Sequence, residues 1–97
     1  MTELTIKSDR AALVKSELEA ALRGQRRMLQ DSIERTKINL AAFEAKYGFN
    51  TDELRRRATQ PIFDDTDLDL IEWLGECTLL ERLESELDIL DEIRIGM

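Results

Sequence analysis

Apolar residues recur along most of this chain at spacings of three and four, the period of an α-helix rather than a strand. The first run covers residues 9–46. Leu22, Leu29, Ile33, Leu40 and Phe43 form one near-heptad stripe that continues to Tyr47, with Arg26 and Thr36 as polar interruptions. The second covers residues 65–93, where Trp73, Leu80, Leu83, Leu87 and Leu90 make the stripe and Leu70, Leu74 and Cys77 flank it. Residues three and four apart share a helix face, so each run predicts a long amphipathic helix.

Punctuation between the runs predicts how they are joined. Gly48 suits the left-handed conformation with which many helices end. Asn50 or Thr51 caps a short tip helix over residues 51–59. Asp52 and Glu53 open it and Arg55, Arg56 and Arg57 close it, the order that complements a helix dipole. Gln60-Pro61 ends it, because Pro disfavours helix in the residue before it. Ile62 and Phe63 are expected to fold back onto the tip, and Asp64, Asp65 and Thr66 to cap the last helix. Residues 1–7 read as a frayed or extended tail, with Ser8 or Asp9 as the first cap. The expectation is a single all-α domain over residues 1–97: a long antiparallel, coiled-coil-like helical hairpin with a short tip helix, completed by dimerisation into a bundle.

Register follows from helix geometry. If residue 69 lies beside residue 46, paired residue numbers add to about 115 at every level, since both helices rise equally per residue. The first turns, carrying Leu13, Val14 and Leu18, then have no partner in their own chain. Gly24 falls where that support ends and is a candidate bend, because Gly costs about 1 kcal/mol inside a helix. Ile71, Leu79, Ile89 and Ile93 add a second apolar edge to the last helix, more than a two-helix hairpin can bury.

Charge divides the chain. Residues 1–60 carry 12 Lys/Arg against 9 Asp/Glu, a net of +3; residues 61–97 carry 2 against 12, a net of −10. Two helices of opposite sign attract when laid side by side, and an acidic excess of this size also attracts a basic partner. Arg55, Arg56 and Arg57 are expected to pair with the Asp64–Asp69 segment. Glu81, Glu84 and Asp88, with Leu13, Val14 and Leu18, are the candidate partner-binding residues.

Little chemistry is encoded. There is no His, one Cys and no Gly-rich phosphate loop, so no catalytic residue, cofactor or metal site is expected. Counted from Asp65, acids fall at positions 1, 3, 5 and 12 of a calcium loop, but position 6 is Leu70 where that loop needs Gly. Capping is the simpler reading of those acids. Arg23, Arg26, Arg27 and Arg55–Arg57 could meet phosphate, yet the chain is acidic and shows no nucleic-acid motif. A lone Cys inside an apolar pattern, with no apolar leader and no run of about 18 apolar residues, points to a cytoplasmic protein.

Phe43-Glu44-Ala45-Lys46-Tyr47-Gly48, Thr51-Asp52-Glu53-Leu54, Asp64-Asp65-Thr66-Asp67 and Glu72-Trp73 followed by a Leu/Glu-rich helix carry a resemblance. Over residues 43–93 the chain is similar to small prokaryotic helical-hairpin proteins, archaeal and cyanobacterial, that look like antitoxin components encoded beside a small toxin-like protein. That group often has a Gly before the acidic run, where this chain has Gln60-Pro61-Ile62. The resemblance implies neutralisation of a protein partner and brings no catalytic residues. The rival expectations are a structural dimeric coiled-coil scaffold and a small nucleic-acid-binding regulator.

Overall fold

A computed structural model describes the backbone of residues 2–61 and 66–95, and the side chains of residues 9–61 and 66–93. Among the described residues the fold is all-helical: α1 (Thr2–Tyr47), α2 (Thr51–Ala58) and α3 (Leu68–Ile95). α1 and α3 pack as an antiparallel hairpin with α2 across its tip. The molecule measures 74 × 22 × 20 Å, and its longest axis is essentially that of α1.

The register is the one that equal helical rise requires. Arg26 Nε donates to Asp91 at 2.8 Å, Asn39 to Glu76 at 3.4 Å, and the Tyr47 hydroxyl to Asp69 at 2.7 Å. In each pair the residue numbers add to between 115 and 117.

Two apolar layers fill the seam. Near the tip, Leu40, Leu54, Trp73 and Cys77 are buried, with Phe43, Tyr47, Phe49, Leu70, Leu74 and Leu80 packed around them. Further along, Leu29, Ile33 and Leu83 are buried beneath Leu79, Leu80, Leu87 and Leu90. Leu22, expected in the core, is half-buried at the open end. Of the two polar interruptions, Thr36 is buried and donates to the Ser32 carbonyl at 2.8 Å. Arg26 leaves the seam at its edge to meet Asp91.

Three boundaries differ from the sequence expectation. α1 begins at Thr2, so the segment read as a tail is helical. It contains neither Pro nor Gly, and adding a residue to an existing helix is far easier than starting one. α3 is capped by Asp67, whose side chain accepts from the amides of Asp69 at 3.0 Å and Leu70 at 3.4 Å. The expected caps Asp64 and Asp65, and the expected tip contacts of Ile62 and Phe63, lie outside the described residues. α2 ends at Ala58 and is capped by Asn50, which accepts from Glu53 N at 2.9 Å.

The tip turns at Gly48, where φ is +77° and the amide donates to the Glu44 carbonyl at 2.9 Å. This is a left-handed helix end of the kind glycine adopts without a steric cost. α1 runs through Gly24 as one continuous helix, and a Cβ built there meets nothing within 4 Å. Gly24→Ala is therefore expected to stabilise the chain by about 0.5–1 kcal/mol. Chemical denaturation checks this, and a destabilised variant would show that glycine is required there.

Candidate protein-docking surfaces

The tip is a built structural unit. Trp73 is fully buried and stacks at ring-centroid distances of 5.7 Å on Phe43, 5.7 Å on Tyr47 and 5.0 Å on Phe49. Its indole N–H donates to Thr51 Oγ1 at 3.0 Å, so the one polar atom of the ring is satisfied. Thr51 N donates to Glu44 at 2.8 Å, and the Arg57 guanidinium lies 4.0 Å over the Phe49 ring. With this anchoring Trp73 is a core residue rather than a docking handle.

Among the described residues the arginines of α2 pair within α2 and with α3; Asp64 and Asp65 of the acidic segment expected to meet them lie outside the described residues. Arg56 and Arg57 both bind Glu53, which their hydrogen bonds hold down to a pKa of about 2. They lie three and four residues from Glu53, the natural reach on one helix. Arg55 instead crosses to α3, where it pairs with Glu81 and donates to Cys77 Sγ at 2.9 Å. Glu81 was expected to face a partner; it clamps α2 to α3.

Asp69 accepts from both Lys46 and Tyr47, and these bonds hold its carboxyl below the usual range. The same bond to Asp69, with burial, pushes the Tyr47 phenol up to about 12. A phenol whose pKa is raised by folding stabilises the fold while protonated, and that contribution is lost as pH rises through about 12. Tyr47 is the only tyrosine. Its ultraviolet titration is expected to centre near 12 and to move toward 10 in Asp69→Asn; a midpoint near 10 in the unaltered, folded chain would remove the interaction from solution.

The remaining candidate residues form two surfaces. On α3, Glu84 and Asp88 share an exposed stripe with Glu92, which the sequence reading did not single out; each is four residues from the next and has no basic partner among the described residues. On α1, Leu13, Val14 and Leu18 are exposed at 62%, 63% and 49%. α3 ends opposite about residue 21, so roughly 19 residues of α1, about 28 Å at 1.5 Å each, extend past it. Where the extension meets the hairpin, Gln25, Leu29, Glu86, Ile89, Leu90 and Ile93 line a shallow open groove. Ile71, Ile89 and Ile93, the second apolar edge of α3, are exposed, while Leu79 joins the seam.

No group of three or more His, Cys, Asp or Glu side chains able to hold a metal ion occurs among the described residues. No described helix is long and apolar enough to cross a membrane. Comparison with protein-family models, with curated proteins and with solved structures finds no match.

Proposed function

We propose that this chain is a cytoplasmic, dimeric protein-binding module, the antitoxin-like member of a pair that neutralises a basic protein partner, and not an enzyme. The observation that carries this reading is the exposed acidic stripe Glu84, Asp88 and Glu92, which no base among the described residues pairs with. A patch of one sign raises encounter rates with an oppositely charged partner by about 10–1,000-fold. The resemblance of residues 43–93 to antitoxin-like hairpins supports the choice of partner class. Absence of His, and a Cys77 thiol buried against Arg55, support binding over catalysis.

Tagged chain purified from its native cell is expected to carry a basic protein, the product of a neighbouring gene. Reversing Glu84, Asp88 and Glu92 to Lys, with Glu81 kept as the α2 clamp, is expected to slow association at least about tenfold at low salt and to flatten its salt dependence. Circular dichroism should be unchanged. Absence of any basic partner, or an unaltered association rate, would sink this reading.

A further inference from the structure

α1 carries a second heptad stripe. Ala11, Val14, Leu18, Ala21, Gln25 and Met28 follow spacings of three and four, and all six are exposed. The stripe sits one residue before the hairpin seam of Leu22, Arg26 and Leu29, which is about 100° around the helix. It does not dissolve into solvent at its inner end, because Gln25 opens directly into the groove formed with Leu29, Ile89, Leu90 and Ile93.

The chain also leaves too much surface uncovered for a finished monomer. It exposes 7502 Å², where a compact monomer of 11.2 kDa exposes roughly 5,700 Å². The excess, about 1,800 Å², exceeds the roughly 800 Å² that each partner contributes to an ordinary stable interface. The Cα radius of gyration is 21.1 Å, against about 12–13 Å for a compact domain of this length.

We propose that the arm of α1 docks antiparallel on a second copy of this chain, in the groove between that copy's α1 and α3. A two-fold axis between Leu18 and Ala21 brings Leu18 beside Ala21, Val14 beside Gln25 and Ala11 beside Met28 of the other copy. Charge selects this direction. In the hairpin register, residues 84–93 of α3 lie level with residues 23–32 of their own α1, and so with residues 7–16 of the second copy. At that level α3 holds Glu84, Glu86, Asp88, Asp91 and Glu92 (−5) and its own α1 holds Arg23, Arg26 and Arg27 against Asp31 (+2), a net of −3. Residues 7–16 hold Lys7, Arg10 and Lys15 against Asp9, a net of +2. A parallel pair would instead set two acidic α3 helices at the same level, where they repel. Each arm then acts as the third helix of the other copy's hairpin; Glu84, Asp88 and Glu92 do not line the groove, so they attract the arm through the field of the acidic end while their own face stays uncovered.

This inference rests on the dimer proposed above but not on the identity of the basic partner. Light scattering of the unmodified chain is expected to give a dimer mass, and Leu18→Lys a monomer whose helicity and Trp73 fluorescence are unchanged. In a Cys77→Ser background, Val14→Cys combined with Gln25→Cys is expected to give covalent dimers on mild oxidation. These positions are about 16 Å apart along one helix, out of disulfide reach within a chain. Val14→Cys alone should not cross-link. A monomeric unmodified chain overturns the dimer itself. A dimer that survives Leu18→Lys, or one that Val14→Cys alone cross-links, leaves dimerisation standing and overturns this arm-in-groove arrangement. Capture of the basic partner by a monomeric Leu18→Lys chain tests the acidic stripe separately.

Discussion

Trp73→Ala is expected to cost about 3–5 kcal/mol, the range for removing a large aromatic from a core. A chain of 97 residues has a net stability on the order of 5–15 kcal/mol, so the loss takes a large share of it. The ring is the shared surface of the tip: Phe43 and Tyr47 reach it from α1 and Phe49 from the turn. Leu54 of α2 and Leu40 of α1 are buried in the same cluster. Removing the indole also takes away the donor to Thr51 Oγ1, on the first residue of α2. Trp73→Phe keeps a stackable ring and loses only the N–H bond, so it should cost clearly less. Urea denaturation followed by circular dichroism compares the two. Equal costs would mean that the hydrogen bond, and not the packing, holds the tip.

The next largest effect is expected at Leu83, buried at 8% exposure in the second layer with Leu29 and Ile33. Leu83→Ala should cost about 2–5 kcal/mol, set by how far the thin two-helix layer closes over the cavity. The adjacent Glu84 is exposed, and Glu84→Ala should change stability by less than about 0.5 kcal/mol. The contrast between neighbours tests which face of α3 is buried. Matching losses at both positions would place the seam elsewhere.

Much of this architecture could be read before any coordinates, for identifiable reasons. Two long helices with heptad stripes have few ways to pack, and equal rise then fixes every level from one contact at the tip. Hence Asn39 meets Glu76 as the register required. Residues brought together by the tip were less legible. Leu54 is 1% exposed, yet it is the one large apolar side chain of an eight-residue helix, too short for a stripe. Phe49 follows a glycine whose conformation decides where its ring points. The Arg55–Glu81 pair could not be read from spacing, because the direction of α2 across α3 is a tertiary fact. For the candidate surfaces, exposure of Leu13, Val14 and Leu18 followed from helix lengths alone. Separating Glu81 from Glu84 and Asp88 needed the position of α2.

The uneven support along α1 grades its local stability. Near Leu40 and Phe43 the backbone is expected to open only with the core, while around Leu13 the helix lacks the tertiary packing from which most helical stability in proteins comes. Amide hydrogens of the arm should therefore exchange with solvent far faster than those of the tip, and proteases should find the arm first. In the dimer proposed above, the second copy would cover that weak point, so a lone copy is expected to be cleaved first and the assembled one to last longer.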